Sequence, residues 1–133
     1  IMERLRKKYI CKNQIKKGIK GLKELLTFFK SGHSIALMID QRVTEGIRSK
    51  FFNDEAFTTT VPAQFTQKFN CEIVTVYIER KNSSDFKIKI NKPLKFKKDD
   101  GIERITRTLN ACLEEMILRN PGQWIWSHNR WKK

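Results

Sequence analysis

The sequence is poor in acid. Aspartate and glutamate total 14 against 28 lysines and arginines, a formal net charge of +14. That balance excludes an acidic, solvating chain and points to an anionic partner: a membrane surface, nucleic acid or an acidic protein. Lysine supplies 19 of the 28 basic residues and runs from end to end, so the charge marks no single patch. Cysteine is scarce. Cys11, Cys71 and Cys112 are odd in number, far apart and without zinc spacing, which predicts free thiols in a reducing compartment, Cys71 and Cys112 buried in apolar patterns. Histidine occurs twice, and His33 has no partner at ligand spacing, so neither a metal nor a cofactor is expected. No apolar run approaches the roughly 20 residues that span a bilayer. Internal repeats, low-complexity linkers and a second domain are also missing.

What is present suits one globular domain: 133 residues, 39% hydrophobic and 11% aromatic. The organising stretch is Ser34 to Ala63. Ile35 to Ile39 is apolar without alternation, the pattern of a strand buried on both faces in a parallel sheet. It runs into Asp40-Gln41. In an open α/β sheet ligands sit beyond the carboxyl ends of the strands, so these two residues stand where a site would be built. A polar loop from Gln41 to Lys50 follows, carrying Arg42, Glu45, Gly46 and Arg48. Phe51-Phe52 is expected as a short extended segment or a pocket wall. Thr58, Thr59 and Thr60 lead into Val61-Pro62, which opens a helix to about Phe69. The free N–H groups at such a helix start suit a phosphate or carboxylate.

Around this stretch, Met2 to Cys11 is basic with Leu5, Tyr9 and Ile10 as anchors. Asn13 is the expected cap of an amphipathic helix burying Ile15, Ile19, Leu22, Leu26 and Phe29, with Lys16, Lys17, Lys20 and Lys23 on its other face and Ser31-Gly32 as its stop. Cys71 to Ile78 reads as a second buried strand. Phe86, Ile88 and Ile90 alternate with Lys87 and Lys89, a half-exposed strand antiparallel to its predecessor. Asp99 or Asp100 caps a last helix buried along Ile102, Ile105, Leu109, Leu113 and Met116 and stopped at Asn120-Pro121. The expected fold class is α/β, a central, mostly parallel sheet flanked by helices.

The tail then reads Pro121-x-Gln123-Trp124-x-Trp126-x-His128-x-Arg130-Trp131-Lys132. Together with the strand ending in Asp40-Gln41, Gly46, Phe51-Phe52, Thr58 to Thr60 and Pro62-Ala63, it resembles the lauroyl/myristoyl acyltransferases of lipid A biosynthesis, in the lysophospholipid acyltransferase superfamily. The resemblance runs in order along nearly the whole chain, and the tryptophan-rich tail is its most specific part. It implies transfer of a fatty acyl chain from acyl carrier protein or acyl-CoA to a hydroxyl of an anionic glycolipid, a lipid A precursor. It also implies a location on the cytoplasmic face of the bacterial inner membrane. The family's catalytic pair is a histidine with an aspartate or glutamate five positions on: the histidine takes the hydroxyl proton and the carboxylate orients the imidazolium. Here His33 is followed at that distance by Met38 and His128 by Lys133. The pair is therefore expected upstream of Ile1, with residues 1–133 as the C-terminal half of a longer enzyme. Asn53 stands where the family usually has glycine, Gly122 where it has glutamate and Asn129 where it has arginine.

On this reading Asp40 and Gln41 match the family segment near the active site, and Thr58, Thr59 and Thr60 match the helix entrance that follows. Arg42, Arg48 and Arg130 suit acceptor phosphates, because a guanidinium meets phosphate oxygens bidentately. Phe51, Phe52, Trp124 and Trp126 suit an acyl pocket or a membrane interface. His128 is expected to donate to a backbone carbonyl. Two other readings fit the charge: a basic nucleic-acid-binding domain, disfavoured because the basic residues do not cluster, and a non-catalytic module on a membrane surface.

Overall fold

The structure is a computed structural model describing residues 1–16 and 18–132; Lys17 and Lys133 lie outside the described residues. The chain forms two compact units, Ile1–Leu37 and Met38–Lys133.

The first unit holds two helices. Helix α1, Met2–Tyr9, carries a Glu3–Lys7 pair one turn apart at 3.2 Å and buries none of its residues, so the expected anchors Leu5, Tyr9 and Ile10 are exposed. Helix α2, Ile19–Lys30, begins later than Asn13 predicts, after Gly18 at φ 110°. At Gly21 a Cβ would collide with the Lys16 carbonyl oxygen. The incoming chain crosses the first turn so closely that only glycine fits, and Ile15 falls outside the helix. Gly21 and Leu25 make the buried stripe. The expected stop holds: Gly32 turns left-handed at φ 87°, and the N–H groups of Gly32 and His33 donate to Phe29 and Phe28.

The second unit contains two antiparallel hairpins and two helices. Strands β1 (Ile47–Phe51) and β2 (Asp54–Thr58) pair with Phe51 opposite Asp54; helix α3 spans Val61–Phe69; β3 (Val76–Arg80) pairs with β4 (Phe86–Ile90); helix α4 spans Ile102–Arg119; and a 3₁₀ turn, Pro121–Gln123, leads into the tail. Helix α4 carries both apolar clusters of this unit. Ile105 and Leu109 meet Ala63 of α3, with Ile39, Ile73, Leu94 and Phe96 around them. Ile117 meets Phe51 and Ala56 of the β1–β2 hairpin, with Phe52, Leu113, Trp124 and Trp131. Two polar residues of α4 are also buried, Thr106 beside Ile105 and Asn110 beside Leu109. Thr106 Oγ1 returns to its own helix at Ile102 O, 2.8 Å, and Asn110 reaches the hairpin.

The parallel sheet expected from Ile35 to Ile39 does not form. The β structure is two small two-stranded antiparallel sheets, and residues 33–39 are irregular among the described residues. A continuous apolar run becomes a strand only when a neighbour takes up its ladder; here Ile39 docks on α3 and α4 instead. The first sheet comes from the supposed polar loop, where Ser49 and Phe51 point inward and Arg48 and Lys50 outward. Cys71 to Ile78 is not a buried strand either. Ile73 makes an isolated bridge to Leu94, and the strand proper starts at Val76 with alternate residues exposed. The antiparallel pairing of β3 with β4 and the end of α4 at Asn120-Pro121 follow the sequence. The cap of α4 is Gly101; Asp100 is buried, accepting Lys97 N–H and pairing with Arg104. No disulfide forms: Cys71 and Cys112 are half-buried rather than buried, and Cys11 is exposed.

Candidate functional site

The β1–β2 turn is where the site begins. Its two central residues are Phe52 and Asn53, and Phe52 lies at φ 56°, a left-handed conformation that costs a residue with a Cβ about 1–2 kcal/mol. Helix α4 holds the turn there, because the Glu114 carboxylate accepts the Phe52 N–H at 2.8 Å. The turn aims Phe52 at the tail. Phe51 stacks on Trp131 with ring centres 5.5 Å apart and meets Trp124 edge-on at 5.9 Å. Phe52 lies 6.2 Å from Trp126, which stands edge-on to Trp124 at 4.6 Å. Two indole N–H groups are engaged: Trp131 Nε1 donates to Phe51 O at 3.2 Å and Trp126 Nε1 to Pro121 O at 2.8 Å. Phe51 is buried while Trp126 is about half exposed, so the cluster runs from core to surface.

Beneath these rings Arg130 is fully buried. Its Nη1 donates to Phe57 O, and its Nη2 donates to Thr58 Oγ1 at 3.1 Å and to Ile39 O at 3.4 Å. Its guanidinium lies 5.4 Å over the Phe51 ring. Burial lowers its pKa from the ordinary arginine value, and the nearby Asp40 carboxylate offsets part of that. Thr58 Oγ1 is saturated: it donates to Ala56 O and accepts from Arg130 and from Asn110 Nδ2, the latter at 3.1 Å. Asn110 also donates to Lys50 O at 3.0 Å. Arg130 thus ties three pieces together: the tail, the end of β2 and the segment leading to Asp40.

The loop after Asp40 is tied to the tail a second time. The Arg42 N–H donates to His128 Nε2 at 3.3 Å, and Arg42 Nε donates to Lys132 O at 3.0 Å. His128 therefore accepts a backbone hydrogen where the sequence predicts that it donates one. The loop's far end is pinned by Gly46, whose Cβ, if it had one, would lie 2.3 Å from Thr58 O.

Asp40, Arg42, Phe51, Phe52, Trp124, Trp126 and Arg130 are thus gathered within one small region, with Gln41 exposed beside them. Three candidates are placed otherwise. Arg48 lies on the outward side of β1, 5.3 Å over the Phe57 ring. Thr59 Oγ1 accepts the Val61 N–H at 3.4 Å, and Thr60 Oγ1 accepts from Gln64 Nε2 at 2.9 Å, so both hydroxyls serve the first turn of α3. Sequence reasoning set Thr58 at the helix entrance, not on Arg130, and passed over Asn110 and Glu114. The signal was faint: Asn110 and Glu114 are polar residues four apart on the side of α4 whose apolar neighbours were read as its buried stripe.

A cationic groove of about 190 Å³ lies on β3–β4, lined by Tyr77, Glu79, Lys87, Lys89 and Arg119. Arg119 sits 5.8 Å over the Tyr77 ring. Lys81 bonds Glu79 at 2.8 Å and lowers that carboxyl's pKa.

Neither histidine is set up as a general base. His33 Nδ1 is 3.1 Å from Ser31 Oγ with its ring edge-on to Phe28, and His128 receives Arg42; neither ring meets a carboxylate among the described residues. Nor do three or more metal-ligating side chains cluster among those residues, and no described helix is long and apolar enough to cross a membrane.

No curated protein matches the chain. The family model described as bacterial lipid A biosynthesis acyltransferase matches residues 3–133, from the first helix through the tryptophan-rich tail. The chain belongs to the bacterial lipid A biosynthesis acyltransferase family.

Proposed function

We propose that residues 1–133 form the substrate-facing wall of an enzyme that moves a fatty acyl chain from acyl carrier protein or acyl-CoA to a hydroxyl of a lipid A precursor. The histidine–carboxylate pair that deprotonates the hydroxyl comes from a part of the polypeptide outside these residues. The observation that carries this reading is the junction of the Asp40–Arg42 loop with the aromatic tail through Arg130, His128 and Lys132. A carboxylate at Asp40, the half-buried Arg42 and a graded run of aromatic rings joined in this way suit a ligand with an anionic head and an apolar chain.

In this assignment Phe52, Trp124 and Trp126 meet the acyl chain, and their rings supply apolar area. Arg42 faces acceptor phosphate. Arg130 acts indirectly: its Nη1 and Nη2 serve the protein's own carbonyls and Thr58, so it holds the wall in place. The groove with Lys87, Lys89 and Arg119 around one carboxylate, Glu79, suits an acidic carrier protein as acyl donor. The excess of basic charge suits the anionic inner-membrane surface.

The test is direct. Purified residues 1–133 are incubated with lauroyl or myristoyl carrier protein, or the matching acyl-CoA, and a lipid A precursor. No transfer is expected, because neither described histidine has an acidic partner; turnover by the isolated chain would sink the assignment of the base to another segment. Separately, Lys87→Glu with Lys89→Glu is expected to weaken carrier-protein binding at least tenfold, measured by fluorescence anisotropy. Unchanged binding would remove the groove from the donor site.

A further inference from the structure

Among the described residues, nothing covers one face of the β3–β4 hairpin. Val76, Ile78 and Arg80 of β3 pair with Ile90, Ile88 and Phe86 of β4, and in a strand alternate residues share a face. Val74 and Glu72 continue that phase before β3. The apolar members Val74, Val76, Ile78, Phe86, Ile88 and Ile90 are between 46% and 71% exposed. Lys87 and Lys89, paired with Glu79 and Tyr77, belong to the opposite face, the one that carries the groove. A contiguous apolar patch of this kind marks an interaction surface, and an isolated two-stranded hairpin is marginal in water.

The charges at the two ends decide what fits it. Arg80 lies at one end of the face with its guanidinium 5.0 Å over the Phe86 ring, and Glu72 lies at the other, paired at 3.0 Å only with the largely exposed Lys95. We infer that the β3–β4 face of one chain packs on the same face of a second copy, β3 antiparallel to β3, so that Glu72 of each copy meets Arg80 of the other. A two-fold axis between the faces, crossing the strands at right angles, produces this arrangement, and the contact is self-complementary as such an axis requires. The faces then pack like the sheets of a sandwich, about 10 Å apart. An axis along the strands would instead put two arginines at one end and two glutamates at the other. The high net charge of each copy does not forbid the contact, since charges beyond the patch are screened over about 8 Å at physiological salt.

The proposal is tested by sedimentation equilibrium of the 133-residue chain across a hundredfold concentration range, with circular dichroism as the check of folding. The wild type is expected to pass from monomer to dimer, and Ile88→Lys to stay folded and monomeric. Glu72→Arg alone and Arg80→Glu alone are each expected to weaken association at least tenfold. The double variant Glu72→Arg, Arg80→Glu is expected to restore it. A wild type that stays monomeric throughout overturns the proposal. So does a dimer that the charge reversals leave unchanged. Flotation with anionic and neutral vesicles adds a third outcome: a monomer whose vesicle binding is abolished by Ile88→Lys assigns the face to lipid and overturns pairing between copies.

Discussion

Arg130 shows how far a residue's type can mislead about its task. A basic side chain in a motif with three tryptophans and a histidine suggests phosphate, yet its Nη1 and Nη2 are committed to Phe57, Thr58 and Ile39. Lysine at this position keeps the charge but not the planar fork, and methionine strands the carbonyls it served. Arg130→Met is expected to cost at least about 3 kcal/mol in chemical denaturation, because it breaks a buried, hydrogen-bonded charge network. Arg42→Ala, at the surface, is expected to stay within about 1 kcal/mol of wild type. Equal stabilities for the two variants would refute the clamp. Cys112 gives a prediction in pH. Burial, then the charge of Glu115, raises its thiol pKa, so the folded state holds that proton more tightly than the unfolded state does. The associated stability is whole below the unfolded value of about 8.5 and is lost as pH rises through the folded one. Alkylation with iodoacetamide near pH 8.5 is expected to reach exposed Cys11 before Cys112, and Cys112→Ser to flatten the alkaline fall in stability.

Among the elements, α4 matters most. It carries both apolar clusters, and through Asn110 and Glu114 it fixes the end of β1 and the β1–β2 turn. Leu109→Ala is expected to cost about 2–5 kcal/mol through the cavity it leaves. Glu114→Ala should cost about 1–3 kcal/mol, since the Phe52 N–H loses its acceptor while the turn keeps its left-handed residue. Thermal and urea unfolding measure both. The helices α2, α3 and α4 were legible because apolar periodicity and stop signals are local properties of the chain. The antiparallel partner of β3 was legible from the alternation of Phe86, Ile88 and Ile90 with two lysines. The first hairpin was not. Its inward residues, Ser49 and Phe51, alternate with Arg48 and Lys50, but polarity and Gly46 made that stretch look like loop. The reverse error befell Ile35 to Ile39, where hydrophobicity suggested a strand although ladder formation depends on a distant neighbour that composition does not reveal. The junction of the Asp40 segment with Arg130 was only half legible: both motifs stood out, but the bond between them, from Arg130 to the Ile39 carbonyl, joins residues 91 positions apart.

At the scale of the molecule, charge is the property most open to test. With 28 basic against 14 acidic residues, the chain is expected to float with anionic vesicles and not with neutral ones, and to lose that binding between about 0.1 and 0.5 M salt as screening shortens the reach of its lysines. Binding indifferent to lipid charge would remove electrostatics from the membrane reading. One small group also sets how this protein can vary. Thr58 takes Arg130 at its hydroxyl, and its carbonyl is the neighbour that leaves room only for glycine at position 46. Both ends of the span from Ile39 to Gly46 are therefore referenced to a single threonine, like a rope tied twice to one post. Arg42, between the knots, is bonded to the tail, so the slack that is free to change in length is the stretch after it. Two residues inserted after Thr44 would add well under about 1 kcal/mol of closure entropy and leave the frame standing, so this stretch can vary in length without refolding the residues behind it.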